Sequence, residues 1–81
     1  MDYVEVSYFA MLKEAAQKSK EKIPFKLGEN GRTLYESLAE TYGFPLKIDQ
    51  LRLAINDDFA SFDEPLKAGD HVVFIPPVAG G

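Results

Sequence analysis

Val72-Val73-Phe74-Ile75, followed at once by Pro76-Pro77-Val78-Ala79-Gly80-Gly81, sets an apolar run directly before a segment that cannot extend it. A strand that is apolar at every position is covered on both faces, so residues 72–75 are predicted to lie in the middle of a sheet. Each proline fixes φ and lacks an amide donor, and the residue before a proline is pushed to extended conformations. The ladder therefore ends at Ile75, and the chain leaves the sheet already stretched out. Six residues at about 3.3 Å each reach roughly 20 Å. The whole domain should have a radius of gyration of about 12 Å, so residues 76–81 are long enough to enter another protein.

The remaining elements follow from periodicity. Val4, Val6 and Tyr8 alternate with Glu5 and Ser7, the period of a strand with one face on a core. Met11, Leu12, Ala15 and Ala16 then fall at helical spacing over Ala10 to Lys18, with Lys18 and Lys20 near the carboxyl end. Ile23, Phe25 and Leu27 alternate as a second strand, and its Pro24 places it at a sheet edge. Thr33-Leu34-Tyr35-Glu36 matches a capping box that opens a second helix over Leu34 to Tyr42. Leu34, Leu38 and Tyr42 share one side of that helix, Tyr35 and Ala39 flank them, and Gly43 with Pro45 stops it. Leu51, Leu53 and Ile55 alternate again, Asn56-Asp57-Asp58 turns, and Phe59 to Phe62 is extended, which makes a small hairpin. Asp63-Glu64-Pro65 and Lys67-Ala68-Gly69-Asp70 are further turns.

One arrangement buries all of this: an α+β domain whose mixed, twisted sheet carries the second helix across one face. The first and last strands are then parallel neighbours, joined by the long crossover that contains that helix. This arrangement is a β-grasp, expected over residues 1–75, with an extended tail over 76–81.

Composition narrows the function. At 81 residues and 9.0 kDa there is room for one domain, and a chain this short has little left over to build a deep catalytic cleft. With no cysteine, thiolate nucleophiles, disulfides and cysteine-based metal sites are excluded. The charge is mildly split: five Lys against four acids over residues 1–26 gives +1, and four Lys or Arg against nine acids over 27–81 gives −5, for the net −4. Nucleic acid is a poor partner for such a chain. Acids in Met1-Asp2-Tyr3-Val4-Glu5 oppose a signal peptide, and no window approaches the roughly 20 apolar residues of a membrane span. A soluble cytoplasmic protein beginning near Met1 is expected.

Candidate chemistry is sparse. His71 is the only histidine and has no cysteine beside it, so no metal site is expected and His71 reads as an ordinary strand residue. Asp57-Asp58 and Asp63-Glu64 read as turn acids. Lys13, Lys18, Lys20, Lys22 and Lys26, interspersed with Glu14 and Glu21, read as a solvated face that guards a sheet edge, with a docking patch for an acidic partner as the other reading. No phosphate loop, nucleophile elbow or HExxH is present, so the chain is not expected to be an enzyme on its own. What remains is the ending: Gly80 and Gly81 have no side chains, fit a narrow channel and leave a terminal carboxylate unobstructed.

With these residues in view, the sequence resembles the MoaD family of ubiquitin-like sulfur carriers, the small subunits of molybdopterin synthase. The likeness runs from Val4-Glu5-Val6-Ser7-Tyr8-Phe9-Ala10 and Leu12-Lys13-Glu14 through Ala54-Ile55-Asn56, Phe62-Asp63-Glu64-Pro65-Leu66 and Gly69-Asp70-His71-Val72 to Phe74-Ile75-Pro76-Pro77-Val78-Ala79-Gly80-Gly81. The resemblance implies that an E1-like, MoeB-like enzyme uses ATP and magnesium to make a Gly81 acyl-adenylate, that a sulfur donor displaces AMP, and that Gly81 becomes a thiocarboxylate. It further implies a MoaE-like large subunit that accepts the tail and catalyses sulfur transfer to precursor Z (cyclic pyranopterin monophosphate), in a heterotetramer of two large and two small chains. No cofactor is implied on this chain itself. By position in the family, Phe9, Phe59 and Ile75 dock on the partner and Lys13 is a rim charge; Lys13 stands where many relatives have Arg, and Ile75 where an aromatic is common. Two other readings of a Gly-Gly ending on this fold stay open, a modifier conjugated through Gly81 and a thiamine-pathway sulfur carrier, the latter opposed by Pro76-Pro77-Val78. A plain interaction domain with an inert tail is the fourth.

Overall fold

The structure, a computed structural model, describes residues 2–77. The elements run β1 (Tyr3–Tyr8), α1 (Ala10–Ala16), β2 (Lys20–Pro24), α2 (Gly31–Tyr42), a 3-10 turn (Ile48–Gln50), β3 (Arg52–Ile55), β4 (Asp58–Ala60) and β5 (His71–Ile75). The sheet order is β2-β1-β5-β3-β4, so the apolar run that precedes Pro76 is the central strand. β1 and β5 are parallel, from Glu5 opposite His71 to Tyr8 opposite Phe74; every other pairing is antiparallel. This is the β-grasp expected from the sequence. No helix among the described residues is long and apolar enough to cross a membrane.

The core is what the alternation requires. Val4, Val6 and Tyr8 of β1 and Val72 and Phe74 of β5 are almost fully buried, and they meet Leu34, Tyr35 and Leu38 of α2 together with Leu12, Leu53 and Leu66. Tyr35 packs edge-on to Phe74 with ring centroids 5.1 Å apart, and its hydroxyl donates to the Leu46 carbonyl at 2.7 Å. The helix face is therefore closed.

Several expectations are corrected. β5 is not covered on both sides: Val72 and Phe74 are buried, whereas His71, Val73 and Ile75 are half-buried, because both helices lie on the other face. The capping box sits one turn earlier, since Asn30 accepts from the Thr33 amide at 2.9 Å and Thr33 Oγ1 accepts from the Asn30 amide at 3.0 Å. Asn is at least as good a cap as Thr, and the shift lets α2 begin at Gly31. Met11 is exposed, so only Leu12 and Ala16 anchor α1, which ends at Ala16 and leaves Lys20 to open β2. β2 spans Lys20–Pro24 and stops before Leu27, which lies in solvent. β4 ends at Ala60, and Phe62 turns back to stack on Phe74. The edge position of Pro24 and the left-handed stop at Gly43 (φ 69°) agree with the sequence reading.

Glu21 is not part of a merely solvated charged face. Its Oε2 accepts from both the Tyr8 and Tyr42 hydroxyls at 2.6 Å, and its Oε1 lies 3.4 Å from Lys18 Nζ. Burial alone would push this carboxyl up. The two phenolic hydrogen bonds and the Lys18 charge outweigh it and hold Glu21 below the usual carboxylate range. Burial first, and the Glu21 carboxylate second, push the Tyr8 hydroxyl far above its ordinary value. A single side chain thus ties edge strand, central core and the end of α2 together.

Candidate functional site

The open face of the sheet is set by register. Ser7 is opposite Val73, Val73 opposite Ala54, and Ala54 opposite Phe59, so these four side chains form one row across β1, β5, β3 and β4. One step along β5, Ile75 stands opposite Arg52. Phe9 follows β1 directly, and the turn into α1 passes through Ala10 at φ 53°, leaving Phe9 53% exposed.

The result is a shallow hollow of about 340 Å³ whose walls include Ser7, Phe9, Phe59, His71, Val73 and Ile75. Phe59 is 73% exposed. Two phenylalanines held in water beside half-buried Val73 and Ile75 make the kind of apolar surface that marks a contact with another molecule. The fold thus brings together three of the four residues singled out for docking. Lys13 lies apart, lining a neighbouring hollow with Ala10, Glu14, Gln17 and Lys18.

The rim is stitched in place by polar contacts that the sequence reading missed. His71 Nε2 and Ser7 Oγ are 2.8 Å apart. The His71 amide donates to Asn56 Oδ1, Asn56 Nδ2 donates to Asp70 Oδ1, and Asp70 Oδ2 accepts from the Lys67 amide, all at 2.8 to 2.9 Å. Asp70 is therefore a buried but satisfied acid, and it locks the start of β5 to the β3–β4 hairpin. In that hairpin Asn56 and Asp57 both have positive φ, 52° and 74°, as a two-residue primed turn requires. His71 sits at the end of a strand, as expected; its contact with Ser7, which is 64 positions away, could be found only through the β1–β5 register.

The exit from β5 adjoins this hollow. Pro76 is buried and Pro77 exposed, and with Ile75 they line a depression against Asp49, Gln50 and Arg52. The chain therefore leaves the sheet at the rim of the apolar face. Val78, Ala79, Gly80 and Gly81 lie outside the described residues. Among the described residues no three His, Cys, Asp or Glu side chains converge as a metal site would need.

Fold and face together define a β-grasp body with an exposed apolar hollow at the root of its last strand's exit, a surface of the kind that seats another molecule. The chain belongs to the ThiS family, whose model matches residues 6–81. It is 31% identical over 80 residues to the molybdopterin synthase sulfur carrier subunit of Escherichia coli (strain K12), an alignment that covers 96% of this chain and 99% of the relative. The solved structure of the putative molybdopterin converting factor, subunit 1, from Pyrococcus furiosus matches with a TM-score of 0.80 at 31% identity, covering 96% of this chain and 100% of that one. A chain in the protein–protein complex of subunits 1 and 2 of molybdopterin-converting factor from Helicobacter pylori 26695 matches with a TM-score of 0.67 at 29% identity, covering 98% and 99%. The resemblance to the MoaD family read from the sequence is borne out.

Proposed function

We propose that this chain is the sulfur-carrying small subunit of a molybdopterin synthase. The observation that carries the reading is a coincidence of place: the ladder ends at Pro76-Pro77 on the rim of the hollow formed by Phe9, Phe59 and Ile75. A partner seated on that hollow receives whatever the residues beyond Pro77 carry. The family match, which runs through residue 81, supports Gly80 and Gly81 as the working end, with Val78 and Ala79 as the connecting segment.

The chemistry proposed for Gly81 follows from its carboxylate. At neutral pH a terminal carboxylate is ionised, with a pKa of about 3.3–3.7, and is a poor electrophile. An E1-like enzyme joins it to AMP, using ATP and magnesium and releasing pyrophosphate. A sulfur donor then displaces AMP and leaves a thiocarboxylate. The catalytic residues for the next step belong to the large subunit, where the Gly81 sulfur passes to precursor Z on the way to the dithiolene. This chain contributes the reactive atom and the docking face, and the work is done in the cytoplasm.

The test is reconstitution with the large subunit and precursor Z. Thiocarboxylated protein should yield molybdopterin, whereas protein lacking Gly81, or carrying one leucine added after it, should yield none. Full activity of the leucine-extended protein, shown by mass to be uncleaved, would overturn the reading. Isopeptide conjugates to lysines that vanish with Gly81 would point instead to a protein modifier.

A further inference from the structure

We infer that the groove round the outer edge of β4, between Arg32 and Arg52, receives an acidic extended segment of the large subunit. The inference rests on the docking role proposed above for the neighbouring hollow.

The chain has only two arginines, and both line this one groove, of about 360 Å³, together with Leu53, Phe59, Ala60 and Phe62. They come from different elements, α2 and β3, and are brought together by the fold alone. β4 is a three-residue strand at the edge of the sheet, so a segment can pass along it without displacing another strand. Phe59 belongs to both depressions, which makes the groove continuous with the apolar hollow: a partner seated on the hollow needs only to continue over Phe59 to enter it.

The chemistry of the occupant follows from the lining. Arg52 stands opposite Ile75, and its guanidinium lies 5.8 Å from the centre of the Phe59 ring. This stacking orients a planar fork suited to a carboxylate. Arg32 Nε donates to Asp63 Oδ1 at 3.0 Å. Both partners of that pair are exposed, the Arg32 side chain by 45% and the Asp63 side chain by 70%. A guanidinium has five N–H donors, and this contact uses one. Asp63 shows that Arg32 accepts a carboxylate here. The floor of Leu53, Ala60 and Phe62 is apolar, so the fitting segment places acidic side chains beside aliphatic ones. The other cations of the chain are lysines, which lack the planar fork, and acids flank this groove, with Asp63 and Glu36 beside Arg32, so the groove takes a segment whose carboxylates reach the two guanidiniums and not an acidic segment in any register. Such a contrast sets register as well as affinity.

The experiment is titration of the cognate large subunit with the full-length chain at low and at high salt. Arg52→Glu and Arg32→Glu should each weaken binding about tenfold at low salt, equivalent to about 1.4 kcal/mol. Arg52→Lys should recover only part of the loss, since a lysine lacks the fork. The double reversal should flatten the salt dependence seen with the unmodified chain. Asp63→Asn frees Arg32 and should tighten binding several-fold, a gain that misfolding cannot mimic. Double-reversal affinity within twofold of the unmodified chain, or no gain with Asp63→Asn, would overturn the inference while leaving the carrier role standing. Failure of the unmodified chain to bind the large subunit would instead overturn the carrier role, and this inference with it.

Discussion

At the scale of single residues, Glu21 and Gly31 carry the most structural consequence. The folded state holds the Glu21 carboxyl below its ordinary value, so Glu21 stabilises the fold fully above the unfolded carboxylate pKa of about 4.3 and loses that contribution as the pH falls through the lower folded value. Glu21→Gln should cost about 1–2 kcal/mol at neutral pH, because hydrogen bonds to a charged acceptor are replaced by weaker ones and Tyr8 is left less well satisfied. The loss should shrink towards acid pH; denaturant melts at pH 7 and near pH 3 would check it, and equal losses at both would contradict the assignment. Gly31 is buried at the start of α2, where an added Cβ would lie 2.5 Å from Leu53 Cδ2. Leu53 is only 1% exposed, and its terminal methyl would have to shift to admit the new Cβ. Gly31→Ala should therefore destabilise by about 1–3 kcal/mol through overpacking, despite alanine's better helix propensity; a raised Tm would refute the clash. Neither role shows in the sequence. Glu21 sits in a run of charges and finds its phenols 13 and 21 positions away, and Gly31 looks like part of a loop until Leu53 is folded beneath it.

At the scale of elements, the sequence speaks most clearly where one physical requirement stands alone. The prolines after Ile75 could only end the strand, whereas Val72 to Ile75 is central as read although only Val72 and Phe74 are buried. It speaks less clearly where neighbouring residues offer the same service. Asn30 and Thr33 are both cap formers, and the structure uses both, each capping the other at the start of α2. Asn30→Ala should lower stability by about 1 kcal/mol and fray the first turn of α2, whereas Glu36→Ala, outside the box, should change little; amide exchange at the helix start distinguishes them. The β3–β4 hairpin turns through Asp57 at φ 74°, a conformation that costs an L residue about 1–2 kcal/mol. Asp57→Gly should raise the Tm, with the gain reduced by glycine's freedom in the unfolded chain.

At the scale of the whole molecule, the division of labour follows from the two faces of the sheet. One face is closed by α2 and supplies stability; the other stays partly open and exposes Phe9 and Phe59 beside Ile75. The elements that build this face were legible as separate strands. Its coherence was not, because it depends on registers that bring residue 7 opposite 73 and residue 54 opposite 59. Phe59→Ala should weaken association with the large subunit by about tenfold or more, as loss of a central aromatic anchor does, while leaving thermal stability nearly unchanged because the ring packs little against the body. The most direct measurement is the intact mass of the chain after incubation with an E1-like enzyme, ATP, magnesium and a sulfur donor. Replacement of one oxygen by sulfur is expected, located at Gly81 by fragmentation and absent when ATP is omitted; an unchanged mass with a competent enzyme, or sulfur placed anywhere else, would contradict the carrier role.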